Sequence, residues 1–262
     1  MIFLLSLALA LIFVSLFSKQ LRVRPLPFYI LAAGISVSVV ICTWHHTVFP
    51  KDFEVWIWPI FARGAFAGAL FVIIMATGVF PNGSKPIRLL MPIRAHLSIL
   101  ASILTLGHNI AYGRTYFTAL FFAPTRLSTP TLLAAVCSLI MILIMLPLFI
   151  TSFKFVRKHM KARTWKRLQR LAYVFYGLLY CHIMLLTIPN AIQGRSGYMV
   201  TVFVYSLVFI SYLFCRVMKA VSIHEKTTAS LSRKQAVGLL CGVVMSGLIL
   251  IAVISAHKTV IA

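Results

Sequence analysis

Residues 131–170 read TLLAAVCSLIMILIMLPLFITSF and then KFVRKHMKARTWKRLQR, an uncharged apolar run followed directly by a strongly basic loop. The apolar run is long enough to cross a bilayer as a helix, which takes about 20 mostly apolar residues. Eight segments of this kind occur along the chain. They lie at residues 1–17, 28–43, 57–80, 95–112, 131–153, 171–189, 198–216 and 237–256. The sequence therefore predicts an all-α integral membrane protein, a bundle of about eight transmembrane helices.

The composition of the 262-residue chain excludes several other classes of protein. Hydrophobic residues make up 61% of it and charged residues 11%, whereas a soluble domain has about 25% charged residues. A water-soluble globule, a disordered chain and a disulfide-stapled secreted scaffold are all excluded. The net charge of +22 would indicate nucleic-acid binding in a soluble protein. In a membrane protein it reports topology instead, so we expect a lipid bilayer and no nucleic acid as partner.

The basic residues are distributed unevenly between the loops. Nineteen of the 25 lie in alternate loops, at 18–27, 81–94, 154–170 and 216–236. By the positive-inside rule these loops are cytoplasmic, which predicts a multi-pass protein of the plasma (inner) membrane with both termini extracytoplasmic. The basic run at 154–170 either serves topology alone or also docks anionic lipid or an acidic partner.

Three histidines fall within predicted segments, at His96, His108 and His182. His108 lies fourteen residues after Arg94, and His182 lies twelve residues after Arg170. At about 1.5 Å rise per residue, both imidazoles lie roughly 18–21 Å from the inner boundary. Two imidazoles that face each other between helices can ligate a haem iron. The alternative is two independent packing histidines, each hydrogen-bonded to a neighbour.

Residues around these histidines resemble the ferric-reductase-like transmembrane family. Within this family the chain is most similar to a small bacterial branch, the haem-binding membrane subunits of periplasmic methionine sulfoxide reductase systems. The first match is Arg94-Ala95-His96-Leu97 with Leu106-Gly107-His108 and Tyr112. The second runs from Thr151-Ser152 through Trp165-Lys166-Arg167-Leu168-Gln169-Arg170-Leu171-Ala172-Tyr173 to His182, and Arg63-Gly64-Ala65 is a weaker third.

The resemblance covers residues 26–218 and implies a six-helix haem-binding core there. Residues 1–25 are then an additional N-terminal transmembrane helix with its basic loop, and residues 219–262 a cytoplasmic linker with a C-terminal transmembrane helix. The resemblance further implies that His108 and His182 are axial ligands of a b-type haem in the outer half of the bilayer.

One position departs from the family pattern. Gln169 stands where the family has a histidine, and in two-haem members this position and the one matching Arg94 serve an inner haem. Because glutamine is a poor axial ligand, we expect one haem b rather than two. His96 is the remaining candidate for an inner ligand, although twelve helical residues place it about 120° from the face of His108. Arg63 is expected either to pair with a haem propionate or to extend to the outer headgroups.

The resemblance implies a membrane electron-transfer subunit, an oxidoreductase component without its own flavin or nicotinamide domain. A quinol is a candidate donor, and an extracytoplasmic oxidoreductase partner or ferric iron a candidate acceptor. A transporter or channel is the alternative, with Arg63 as a counter-charge, although the predicted spans contain no Asp or Glu. A second alternative is a haem-free membrane scaffold or assembly factor, which Gln169 would suit.

Overall fold

The computed structural model of the chain describes residues 2–195, 197–224 and 231–261. These residues form helices and turns, and none of them forms a strand. The helices are α1 (Ile2–Val23), α2 (Leu26–Trp44), α3 (Trp58–Ala62), α4 (Ala65–Ala76), α5 (Lys85–Leu90), α6 (Arg94–Phe122), α7 (Thr129–Ile150), α8 (Lys154–Arg157), α9 (Ala162–Gln169), α10 (Leu171–Ile192), α11 (Tyr198–His224) and α12 (Leu231–Ile261). A π-helical turn, Phe53–Ile57, precedes α3, and a 3-10 turn, Pro124–Arg126, follows α6.

Six of the described helical stretches are long and apolar enough to cross a membrane. They are Ile2–Val23, Leu26–Trp44, Thr129–Ile150, Ala162–Ile192, Tyr198–Val221 and Gln235–Thr259. The pair Phe53–Ala62 and Ala65–Ala76, bent by 49°, makes a seventh if it is one span. The protein is thus all-helical, and its apolar helices indicate a multi-pass membrane protein.

All eight predicted segments coincide with helices, but the fourth, in α6, is not among the stretches that are long and apolar enough to cross a membrane. The third and sixth segments also differ in detail. The third is broken at Arg63 and Gly64 rather than continuous, because Gly64 has a φ of +69°, a left-handed conformation that glycine adopts without steric cost. The expectation that Arg63 lies inside a helix is therefore wrong; it follows the last residue of α3. The sixth segment does not end at Pro189, since α10 continues to Ile192.

The chain divides into two compact units. The larger unit comprises residues 2–74 and 89–182, and the smaller unit comprises residues 75–88 and 183–262.

In the larger unit α2 packs closely along α6. Gly107 permits this approach, since a Cβ at that position would lie 2.5 Å from the Cβ of Ser36. The Ser36 hydroxyl donates a hydrogen bond to the Ile103 carbonyl at 3.1 Å. Further along the pair, the Trp44 indole N–H donates to the Ala111 carbonyl at 3.2 Å. These contacts fix α6, which carries His108, against its neighbour.

In the smaller unit α11 packs against α12 through small residues. A Cβ at Gly238 would lie 3.1 Å from the Cys215 sulfur, so the helix axes approach closely. Two side chains of this helix pair bind carbonyls that follow α4. The Gln235 amide donates to the Val79 carbonyl at 2.8 Å, and the Lys219 ammonium donates to the neighbouring carbonyl of Phe80.

Candidate functional site

His108 lies in the middle of α6 and is held by the break between α3 and α4. Its Nδ1 lies 2.7 Å from the carbonyl oxygen of Ala62, the last residue of α3. Because the chain turns at Gly64, this carbonyl lies at a helix end, where backbone acceptors lack helical partners. Gly64 also packs against the imidazole, since a Cβ there would be 3.4 Å from the His108 Cγ. The helix break therefore positions the histidine ring.

His182 lies in α10 and is held by one face of α7. Its Nδ1 lies 3.0 Å from the Ala134 carbonyl oxygen and 3.1 Å from the Ser138 hydroxyl oxygen. Ala134 and Ser138 are four residues apart, so both stand on the same face of α7. The imidazole is thus fixed from one neighbouring helix, as His108 is fixed from another.

The two histidines share one tautomer. A carbonyl oxygen accepts and never donates, so Nδ1 of each ring must carry the proton in its bond to Ala62 or Ala134. The lone pair then lies on Nε2 of each neutral ring. Within the described part of the chain, neither Nε2 makes a hydrogen bond. Metal-bound histidines typically use this arrangement, with the second ring nitrogen donating to a carbonyl that fixes the ring.

The two histidines belong to the same compact unit, although they are 74 positions apart in the sequence. The helix that holds His182, α7, also packs against α6, which carries His108. Both histidines are partly buried. The larger unit therefore contains both histidines that the sequence spacing singled out.

Arg63 lies at the helix break next to His108. It directly follows Ala62, whose carbonyl binds His108, and it is exposed. The Tyr112 ring contacts the His108 ring, with 5.2 Å between centroids. Whether Arg63 serves an anionic group or the lipid headgroups stays a prediction.

The residues expected at the inner level lie on two helices, α6 and α9. Arg94 is the first residue of α6, and Gln169 is the last residue of α9; both are partly buried. His96 is hydrogen-bonded to a residue that the sequence did not single out, with 2.6 Å between its Nδ1 and the Tyr29 hydroxyl oxygen. The Tyr29 ring also contacts Phe153, with 6.4 Å between ring centroids.

Two parts of the longer matching stretch contact each other. The Trp165 indole N–H donates to the Thr151 carbonyl at 3.3 Å. The Arg157 guanidinium lies over the Trp165 ring, 5.4 Å from its centroid. Trp165 therefore links the basic loop to the end of α7. A structural role thus accounts for Trp165 and Thr151 without a bound ligand.

The residues that hold the two histidines were missed by sequence reasoning. Ala62 and Ala134 act through backbone carbonyls, which carry no sequence signal. Ser138, a hydroxyl in an apolar helix, and Gly64, beside an arginine, were the available signals. No group of three or more His, Cys, Asp or Glu side chains that could hold a bare metal ion occurs among the described residues. A haem iron differs, since the porphyrin supplies four ligands and the protein only the axial ones.

Comparison with known proteins adds one relative. The chain is 38% identical over 233 residues to an uncharacterized protein of Treponema pallidum (strain Nichols). The matched region covers 88% of this chain and 64% of the relative, so the chain spans less than two thirds of the relative's length. No family model matches the chain, and no solved structure matches it.

Proposed function

We propose that the protein is a membrane electron-transfer subunit that holds one b-type haem between His108 and His182. The observation that carries the proposal is that the two imidazoles make the same kind of hydrogen bond and share one tautomer. Each donates from Nδ1 to a carbonyl of a neighbouring helix and so keeps its Nε2 lone pair available. His108 is on α6 and His182 is bound by α7, and these two helices pack against each other. Two axial ligands of one haem would both need this tautomer.

The chemistry of the donor set fits a low-spin haem. Neutral imidazole is an axial ligand of haem iron, and both histidines are partly buried in the larger unit. When bound, haem b supplies one-electron oxidation and reduction. The protein's part is to fix both rings before binding, so that little rotational freedom is lost when the iron is ligated.

The ferric-reductase-like resemblance supports the same function and gives its direction. With the basic loops in the cytoplasm, the His108 and His182 level lies in the outer half of the bilayer. We therefore propose an extracytoplasmic redox partner or acceptor, a quinol as the donor, and the plasma (inner) membrane as the location. Glutamine at position 169 argues for a single haem per chain.

A haem titration tests the proposal. Protein purified in detergent and reconstituted with haemin is expected to show a reducible b-type absorption band and one haem per chain by pyridine haemochrome. His108→Ala together with His182→Ala is expected to abolish it. His257→Ala is the matched control, because the His257 Nδ1 also donates to a carbonyl, that of Ile192 at 2.6 Å.

The outcomes of this titration separate the alternatives. Two haems per chain would show that His96 or Gln169 binds an inner haem. No reducible band, or full haem retention in the double variant, would overturn the proposal. Retention in His257→Ala and loss in the double variant would assign the ligands.

A transporter is the second candidate, because of the break at Arg63 and Gly64. The helix pair on either side of the break is bent by 49°, and interrupted helices form the substrate sites of many transporters. Arg63 is an exposed cation at the break. Uptake of anionic solutes into vesicles, lost in Arg63→Gln, would favour transport, while a haem band with no uptake would exclude this candidate. A membrane scaffold would show neither a haem band nor uptake of anionic solutes.

A further inference from the structure

The basic loop between α7 and α10 carries half of its positive charges on one side of a helix. The helix is α9, and Arg170, which directly follows it, keeps helical dihedral angles (φ −68°, ψ −23°). Four cations occur here at the spacing i, i+3, i+4 and i+7: Arg163, Lys166, Arg167 and Arg170. Residues at this spacing lie on one face of a helix. All four are exposed, and we name them the basic stripe.

The other face of α9 packs toward the end of α7. Its half-buried residues are Trp165, Leu168 and Gln169. At about 100° per residue, these three lie opposite the basic stripe. The Trp165 indole N–H donates to the Thr151 carbonyl, which follows α7, at 3.3 Å. The basic stripe therefore points away from α7 and is held in that direction by the tryptophan.

The loop offers the basic stripe no opposite charge. Residues 154–170 contain no Asp or Glu, and the whole chain has 3 acidic residues against 25 basic ones. Like charges three or four residues apart on a helix repel each other and destabilise it. Arg163 has this relation to Lys166 and Arg167, and so has Arg170. An anionic partner outside the chain would offset this repulsion.

Membrane topology alone does not account for the basic stripe. The positive-inside rule depends on how many Lys and Arg residues a loop contains, so cations on any side of α9 would satisfy it. Arg163 also stands in the first turn of α9, where the helix dipole disfavours a cation. Alignment of four cations on one exposed face is instead what a flat anionic surface requires.

The place of α9 in the chain puts the basic stripe at the membrane surface. Together α9 and α10 form one candidate spanning stretch, Ala162–Ile192. The 22 residues of α10 extend about 33 Å, enough for a hydrocarbon core of about 30 Å. We therefore expect α9 in the headgroup layer, which reaches about 5–8 Å beyond the core on each side. Lys166, Arg167 and Arg170 all lie within about 8 Å of the start of α10 along the axis.

We propose that the basic stripe binds the phosphate groups of anionic phospholipids in the leaflet on the side of the basic loops. Lys and Arg side chains donate charge-assisted hydrogen bonds to phosphate oxygens, and clusters of them beside a membrane span attract anionic lipid. An acidic protein would match the same charge, but the headgroups already lie at the level of the stripe. The site does not use His108 or His182, so it goes beyond the proposed function and does not depend on it.

Native mass spectrometry of the haem-free protein in detergent tests the basic stripe. Titration with phosphatidylglycerol, and with phosphatidylcholine of the same acyl chains, gives an apparent Kd for each lipid. We expect the parent protein to bind phosphatidylglycerol about tenfold more tightly or better. Arg163→Gln, Lys166→Gln and Arg167→Gln together should raise the Kd for phosphatidylglycerol about tenfold or more, because each cation near an anionic surface contributes about fivefold. The Kd for phosphatidylcholine should not change.

The matched control removes the same charge from the same loop but not from the stripe. It combines Lys154→Gln, Lys158→Gln and Lys161→Gln, three exposed positions outside α9, and should change the Kd for phosphatidylglycerol less than about threefold. Glutamine is a good helix former, and the stripe variant loses the repulsion between like charges. In phosphatidylcholine its helix content and unfolding temperature should therefore equal or exceed those of the parent protein.

Three results would overturn the site. Equal losses of affinity in the two triple variants would mean that the number of charges matters and their arrangement does not. Equal affinity of the parent protein for phosphatidylglycerol and phosphatidylcholine would exclude anionic lipid as the ligand. Displacement of phosphatidylglycerol by polyglutamate at equal charge concentration would assign the stripe to an acidic protein. Because the assay uses haem-free protein, a missing haem band contradicts the proposed function without affecting this site.

Discussion

The predicted outer and inner levels of the larger unit both contain histidine, but the hydrogen bonds of the histidines differ. At the outer level His108 and His182 each bond to a backbone carbonyl, which fixes their tautomer. At the inner level His96 bonds to a tyrosine hydroxyl, which can donate or accept, and Gln169 stands where a second imidazole would be needed. The fixed Nε2 lone pairs of His108 and His182 suit metal ligation. The hydrogen bond of His96 can reverse its direction, which suits an exchangeable ligand.

The largest expected effect comes from making the outer level resemble the inner one. His182→Gln removes one of two axial ligands and should lower haem affinity at least about 100-fold, beyond what loss of an outer-sphere partner costs. Gln169→Ala, the matched change at the inner level, should leave haem content unchanged. Haem per chain by pyridine haemochrome measures both.

The opposite pattern would reverse the comparison. Loss of haem in Gln169→Ala with retention in His182→Gln would assign the haem to the inner level. Equal retention in both variants would remove the distinction between the levels altogether.

Much of the fold follows from the sequence, because apolar length and basic loops are properties of single segments. All eight predicted segments coincide with helices, although only six or seven helical stretches of the described residues are long and apolar enough to cross a membrane. The break at Arg63 and Gly64 was not predicted, since the residues that flank it, Ala62 and Ala65, are as helix-compatible as the rest. The left-handed conformation of Gly64 is apparent only from its backbone dihedral angles in the structure.

The candidate site was predictable only in its ionisable residues. The similar spacing of His108 and His182 from basic residues indicated a shared level, and the structure places both histidines in the same compact unit. What holds them could not be predicted, because Ala62 and Ala134 contribute carbonyl oxygens that every residue possesses. The Tyr29 partner of His96 was missed for a related reason, since a tyrosine near a helix end usually marks a membrane interface.

An intermediate effect is expected where α6 meets α2, next to the outer histidine. Gly107→Ala would place a Cβ 2.5 Å from the Ser36 Cβ and 2.8 Å from its Cα. Because backbone must move, we expect a loss of about 1–3 kcal/mol in the free energy of unfolding, as for other overpacked positions. Thermal unfolding in detergent, followed by tryptophan fluorescence, measures it.

Gly34→Ala in α2 is the matched control for this packing. No atom lies within 4 Å of a Cβ at Gly34, so alanine should be neutral or stabilise by about 0.5–1 kcal/mol through its better helix propensity. If Gly107→Ala unfolds at the same temperature as Gly34→Ala, the close approach of α2 and α6 does not hold in the protein.

The smallest effect is expected from Ser138→Ala, which removes one of the two oxygens at the His182 Nδ1. The Ala134 carbonyl remains at 3.0 Å and keeps the tautomer fixed. Haem affinity should therefore fall by about tenfold at most, the lower end of the range for lost outer-sphere partners. Haem titration at equilibrium, with the reduced spectrum unchanged in shape, measures this.

Ser246→Ala separates loss of this bond from loss of any buried hydroxyl. The Ser246 hydroxyl donates to the Gly242 carbonyl of its own helix at 2.6 Å, in the smaller unit, so haem affinity should not change. A drop beyond 100-fold in Ser138→Ala would mean that the serine, and not the carbonyl, sets the tautomer of His182. The two levels would then differ less than their hydrogen bonds indicate, because a hydroxyl would control the imidazole at each.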